Sequence, residues 1–203
     1  MNELGEIYSG SSSAKDYTLR YVKYLSELLG DIDFKSIEEV IKLFQKTRAK
    51  GKTIFFIGNG GSAATCSHFS EDLSLGSFIE GKKPFKTISL ADNSPCVTAL
   101  SNDIGYDDVF IGQLRYLMNK DDVVVGISGS GNSPNLVKAM KYANVHGGIT
   151  VGLLGFDGGK MKDLCKYCIL VNTKKGVYGP VDDMHLILAH IISTYLMFKV
   201  REE

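Results

Sequence analysis

Short runs of consecutive apolar, largely β-branched residues alternate along the chain with longer stretches in which apolar residues recur every three or four positions. The first pattern predicts buried strands and the second amphipathic helices. Apolar runs at residues 53–57 (Thr-Ile-Phe-Phe-Ile), 86–91, 122–126 (Asp-Val-Val-Val-Gly), 149–154 and 167–171 predict five strands. Helical spacing of Tyr21, Val22, Leu25, Leu28 and Leu29 marks a helix over 17–29, ended by Gly30. Asp33 caps the next, whose stripe is Ile37, Val40, Ile41 and Phe44. Further helices follow each strand: through Ala63, His68, Phe69 and Leu73, near 95–101, over 106–118, over 136–143, a short one at 160–164 and a last at 181–200. Residues 1–13 carry little periodicity and read as a mobile lead-in. Residues 102–105 and 174–180 read as loops.

Strands alternating with helices predict an α/β fold: a three-layer αβα sandwich around a parallel sheet of about five strands, both faces covered. No repeat, low-complexity tract or linker interrupts the chain. The expectation is a single domain over 1–203, with a helical extension at 1–50 and the sandwich core at 51–203. Right-handed crossovers place the strand C-terminal ends on one edge, where open α/β sheets bind ligands.

The 203 residues are 44% hydrophobic and 23% charged, with 23 basic and 23 acidic side chains. That suffices for one well-buried α/β unit. No basic field points to nucleic acid or to an anionic membrane. No apolar run approaches a membrane span and the N-terminus has no signal-peptide character, so the expected location is the cytoplasm. Cys165 and Cys168 form a single C-x-x-C that leads into a strand. They read, with Cys66 and Cys96, as reduced thiols and not as a metal or redox motif.

The third predicted strand runs into Ile-Ser-Gly-Ser-Gly-Asn-Ser-Pro-Asn, residues 127–135, and then into a helix. Gly129 and Gly131 let the backbone turn tightly. Ser128, Ser130 and Ser133 add hydroxyl donors. The N–H groups and dipole of the following helix favour an anion. No Lys follows the glycines, which excludes a Walker A loop. The turn suits a phosphate monoester held by neutral donors, against the plainer reading of a solvated turn with Ser133 as N-cap. The first strand runs into a second such turn, Gly58-Asn59-Gly60-Gly61-Ser62-Ala63. This fits the loose dinucleotide pattern G-x-G-x-x-A, with Asp92 as a ribose ligand. Asp92 lies further on than that pattern's ~20 residues, and an NAD(P) reading leaves the serine turn unused. Two Gly/Ser turns on one edge instead suit the two ends of one small phosphorylated molecule.

His68 and Asp72, four apart, share a helix face. The spacing suits a metal or a paired acid and base. Asp182, Asp183, His185 and His190 lie within about two turns of the last helix. Asp183 and His190 share a face. Asp182 is about 80° out of register with His190 and is expected at the fraying start of the helix, free to turn inward.

Gly58-Asn59-Gly60-Gly61-Ser62, the segment 89–92, Ser101-Asn102-Asp103, the segment 127–133 and Asp157-Gly158-Gly159-Lys160-Met161 occur in the same order in sugar isomerase (SIS) domain proteins. The chain most resembles the phosphoheptose isomerase type, over about residues 51–199. The resemblance implies aldose–ketose isomerisation of a sugar phosphate through an enediol. The substrate would be sedoheptulose 7-phosphate and the product D-glycero-D-manno-heptose 7-phosphate, feeding bacterial heptose for surface polysaccharide. It implies that Ser128, Gly129, Ser130 and Ser133 hold the phosphate. Asn59, Gly60, Gly61, Ser62, Asn102, Asp103 and Asp182 would bind the sugar. Asp72 would be the base and His190 the acid, and His68, Asp72, Asp182 and His190 would surround a zinc ion or the reacting carbons. It further implies a homotetramer with shared sites. The family also includes non-catalytic SIS domains that sense sugar phosphates or bind proteins.

Four positions depart from that pattern. Asp72 stands where the family has Glu, and Asp182 where it has Gln. Gly129 replaces a Thr. The loop 174–180 lacks the expected Asp. A carboxylate displaced by about 1 Å can cost ~100-fold in rate, while two carboxylates with two histidines make a more anionic site suited to a divalent metal.

Overall fold

A computed structural model describes residues 2–203; Met1 lies outside the described residues. Five strands, β1 (Thr53–Gly58), β2 (Lys86–Ser89), β3 (Val123–Ser128), β4 (Ile149–Gly155) and β5 (Tyr167–Val171), form one parallel sheet in the order β2-β1-β3-β4-β5. The register pairs Phe56 with Ser89 and Val125, and Val125 with Val151. The central strands are buried on both faces because β-branched and aromatic side chains alternate between them. Ile54 and Phe56 point into one core, with Phe44, Phe69, Met184 and Leu188. Phe55 and Ile57 point into the other, with Phe110, Leu114, Leu136 and Met140.

The first core is roofed by α3 (Phe34–Ala49), α4 (Gly61–Glu71) and α9 (Tyr178–Glu202). The second is roofed by α6 (Val109–Leu117), α7 (Pro134–Val145) and the short α8 (Gly159–Lys162), with α5 (Ser94–Asp103) beside α6. The three-layer αβα arrangement is the one expected. Asp33 caps α3 as expected, its side chain accepting from the Lys35 amide. Among the described residues, no helix is long and apolar enough to cross a membrane.

Several local expectations are corrected. The lead-in is a helix, α1 (Glu3–Ser9), capped by Asn2, whose side chain accepts from the Gly5 amide. It precedes α2 (Ala14–Gly30) and is tied to the loop before α9 by the Lys174 ammonium, which lies 3.4 Å from Glu3 and 3.6 Å from Glu6. Its apolar residues, Leu4, Ile7 and Tyr8, span only about two turns, too short a stretch for the periodicity to stand out. Asn102 and Asp103 close α5 instead of sitting in a loop. The loop before α9 is shorter than expected, because the helix begins at Tyr178. The helix expected at 106–118 splits into a 3-10 turn, Tyr106–Asp108, and α6. After Glu71 the backbone of α4 widens into a π turn, Asp72–Gly76.

All four cysteines are free. Burial pushes the Cys165 thiol up to about 12, with Cys168 adding to the shift. Such a thiol is a poor thiolate ligand or nucleophile.

Candidate active site

The strand order reverses between β1 and β3, since β2 lies to one side of β1 while β4 and β5 lie beyond β3. A crevice at the C-terminal ends of strands is expected at such a switch point. Both Gly/Ser turns issue there. They enclose a cavity of about 270 Å³ whose lining includes Asn59, Gly61, Ser62, Ser128, Gly129, Ser130 and Ser133. Tyr178 and Asp182, from the first two turns of α9, close it. A larger cavity of about 500 Å³ opens at the opposite edge, against α3 and the starts of β4 and β5. It lies away from both turns.

The serine turn is held by its own donors and by the turn after β4. Ser128, 5% exposed, accepts from the Gly131 amide at 3.0 Å. Gly131 has φ 61°, and a Cβ there would collide with the Gly158 carbonyl. Its own carbonyl accepts from the Met161 amide at 2.9 Å. The Asn132 amide group donates to the Ser130 carbonyl at 2.8 Å and its oxygen accepts from the Lys160 amide at 3.2 Å. The backbone is therefore fixed from within and from the turn after β4. Ser128 and Ser130 use hydroxyl oxygens to accept from the Gly131 and Asn132 amides, the latter at 3.3 Å, which leaves their O–H protons for a ligand. Ser133 precedes α7 but makes no side-chain cap bond, with Pro134 following it. The plain N-cap reading is thereby disfavoured: the hydroxyl remains available to an anion beside the helix dipole, although the Leu136 amide already donates to Asn135 Oδ1 at 3.0 Å.

At the first turn, Gly60 (φ 54°) opens α4 without a side-chain cap. Asn59 is clamped by Asn135 of α7 through two reciprocal amide bonds of 3.0 and 2.9 Å, and its oxygen also accepts from the Tyr106 hydroxyl at 2.9 Å. Asn135 and Tyr106 carried no signal in the sequence, because each reaches the site through Asn59. A Cβ on Gly61 would lie 2.8 Å from Oδ2 of Asp182. Only glycine lets that carboxylate rest on the N-terminus of α4, where the helix dipole favours it. Burial, and then Asp183 beside it, hold the Asp182 carboxyl above its ordinary value.

Among the described residues, His68, Asp72 and His190 form a group whose potential ligand atoms all lie within 4.8 Å of one another. The two Nε2 atoms are 3.3 Å apart. Asp72 Oδ1 is 3.7 Å from His68 Nε2, and Oδ2 is 3.9 Å from His190 Nε2. The expected face-sharing of His68, on α4, and Asp72, the first residue after it, is what brings the pair to α9. Ser193, 3% exposed on α9, donates to Oδ2 of Asp72 at 3.2 Å. It is a further residue that the sequence did not single out.

Not every expected residue joins this group. Asp182 stands outside the trio and lines the phosphate-side cavity, because α9 begins earlier than expected and carries it as a regular helical residue over Gly61. Asp183 does not serve the site with His190: Tyr21 of α2 donates to its Oδ2 at 2.6 Å. His185 is wholly buried. Asn102 and Asp103 are exposed and bonded to each other at 2.8 Å, away from the cavity lining. Asp92 accepts from the Ser67 hydroxyl.

The sequence model of the SIS domain matches residues 20–155. Phosphoheptose isomerase of Aliarcobacter butzleri is 38% identical over 156 residues, which cover 77% of this chain and 81% of that protein. The chain belongs to the phosphoheptose isomerase family of SIS-domain proteins. The Helicobacter pylori phosphoheptose isomerase is likewise 38% identical, over 78% of this chain and 83% of its own. The solved structure of phosphoheptose isomerase GmhA from Neisseria gonorrhoeae superposes with a TM-score of 0.74 at 28% identity, covering 87% of this chain and 91% of that one.

Proposed function

We propose that the protein isomerises sedoheptulose 7-phosphate to D-glycero-D-manno-heptose 7-phosphate. The observation that carries this reading is that the serine-turn cavity and the His68–Asp72–His190 trio are joined by the same two helices. α4 places Gly61 and His68 about 10 Å apart along its axis, and α9 spaces Asp182 and His190 by about 12 Å. That is the scale of a sugar phosphate extended from phosphate to carbonyl.

In this reading Ser128, Ser130, Ser133 and the N-terminus of α7 hold the phosphate, while Asn59, Gly60, Gly61, Ser62 and Asp182 meet sugar hydroxyls. Asp72 removes the proton from C1, next to the C2 carbonyl, and His190 supplies a proton to O2. The enediol then collapses the other way: Asp72 returns its proton to C2 and His190 takes the O1 proton. This leaves the aldehyde at C1. The trio also fits zinc, since two imidazole nitrogens and one carboxylate are a catalytic zinc donor set. When bound, zinc would polarise the carbonyl as a Lewis acid. His68, Asp72 and His190 would hold it, with Asp182 outside the set; because His190 Nε2 would then give its lone pair to the metal, this is an alternative to the acid role of His190 and not an addition to it.

Homotetramer assembly is part of the proposal. Leu19 and Val22 of α2 are 62% and 55% exposed, and Tyr195 and Phe198 of α9 are 47% and 56% exposed. Asn102 and Asp103, outside their own chain's cavity, would then serve a neighbour's. Four free cysteines agree with a reducing, cytoplasmic setting. Proton NMR of sedoheptulose 7-phosphate incubated with the protein, with and without zinc, tests the activity: new aldose resonances are expected. Binding without conversion under both conditions would favour a non-catalytic sugar-phosphate binder.

A further inference from the structure

Residue 129, in the middle of the serine turn, is a glycine where the resembling family has threonine. Its backbone does not require this, for it is absent from the residues with positive φ. What crowds a side chain there is Tyr178. A Cβ on residue 129 would lie 3.1 Å from Cδ1 and 3.3 Å from Cε1 of that ring, and 3.7 Å from Cγ1 of Val181. The ring is held there by Phe156, edge to face at a centroid distance of 5.0 Å and an interplanar angle of 74°. Phe156 itself is 3% exposed and adopts φ 53°, a conformation rare for a bulky residue, at the end of β4. A left-handed phenylalanine therefore props an aromatic ring over the phosphate-binding turn. Tyr178 remains 53% exposed and lines the cavity beside Ser128, Ser130 and Ser133.

We propose that Tyr178 is a specificity wall of this site, stacking on the C–H face of the substrate carbons next to the phosphate, and that Gly129 exists to admit it. The inference rests on the sugar-phosphate reading of the cavity. An aromatic face beside a few convergent polar donors is the usual lining of a small-molecule site. It adds contact to carbon and none to free phosphate. The wall thus selects phosphate esters with an adjoining polyhydroxy chain over inorganic phosphate.

Calorimetry with sedoheptulose 7-phosphate and, separately, inorganic phosphate tests this on the full chain. Tyr178→Ala is expected to weaken sedoheptulose 7-phosphate about tenfold, the scale of a lost aromatic contact, and inorganic phosphate by less than about twofold. Tyr178→Phe should bind both like the unaltered protein. Gly129→Thr should weaken both ligands by crowding the ring, and adding Tyr178→Ala to it should restore phosphate binding, a non-additive pair. Equal losses for both ligands in Tyr178→Ala, or strictly additive effects in the double variant, would overturn the wall and leave the isomerase standing. The expected binding pattern without aldose formation would overturn the isomerase and leave the wall standing. Unaltered protein that binds inorganic phosphate but no sugar phosphate would overturn both.

Discussion

Ser193 and Asp72 meet across 121 positions of sequence, the Ser193 hydroxyl donating to Oδ2 of Asp72 at 3.2 Å. Asp72 stands at the junction of α4 and the π turn that follows it. Its other oxygen faces His68. The serine thus fixes the rotation of that carboxylate. A hydrogen bond to a charged group is worth roughly 1.5–3 kcal/mol. Ser193→Ala is expected to lower kcat about tenfold with KM little changed, and Ser193→Thr to restore most of it. Steady-state kinetics decide: a loss confined to KM would mean that Ser193 acts on binding instead.

Asp72→Asn is close to isosteric and should lower turnover by ~10²–10⁴, the range for loss of a positioned acid or base, while sedoheptulose 7-phosphate still binds. His190→Gln should do the same. Glu71 is exposed and outside the trio, so Glu71→Gln should stay within about twofold of the unaltered rate. Rates and calorimetric binding for the three variants separate the roles. Normal turnover in Asp72→Asn with loss in Glu71→Gln would move the base to Glu71.

Ser130 is half-buried in a turn whose backbone is fixed by neighbouring segments. Ser130→Asp sets a carboxylate against the phosphate, and like charges in contact cost several kcal/mol. Sugar-phosphate affinity should fall by at least about a hundredfold with an unchanged circular dichroism spectrum. Undiminished binding would place the phosphate elsewhere.

His185 carries a pH dependence of stability. It is fully buried on α9, and neither ring nitrogen makes a hydrogen bond of full geometry, the Leu154 backbone being a weak partner. Burial lowers its pKa from 6.5 to about 4, against a smaller opposite pull from the Leu154 backbone. Between those values the unfolded chain takes up a proton that the folded chain refuses. Its contribution is thus complete above pH 6.5 and is lost as pH falls towards 4, by roughly 3 kcal/mol in all. The melting temperature should fall over that window, and His185→Leu should flatten the fall. An equal slope in the variant would assign the acid sensitivity to other groups.

The runs 53–57 and 122–126 and the glycines and serines after them determined by themselves that there are strands, that turns follow, and that these turns suit a phosphate. Those signals are local: side-chain period, β-branching, and turn chemistry within a few residues. The same holds for His68 and Asp72, which helix geometry places on one face. What only the tertiary structure decided is which of these groups meet. The seating of α9 across α4 brings His190 and Ser193 to Asp72, lays Asp182 on Gly61 and hands Asp183 to Tyr21. The same helix start sets the Tyr178 ring over Gly129. Periodicity gives the buried face of α9 but not its axial position along the sheet. A shift of one residue along the axis is only about 1.5 Å, yet it would exchange every one of these partners. That position follows from close packing of side chains distant in sequence, a property of the assembled core and not of any one segment.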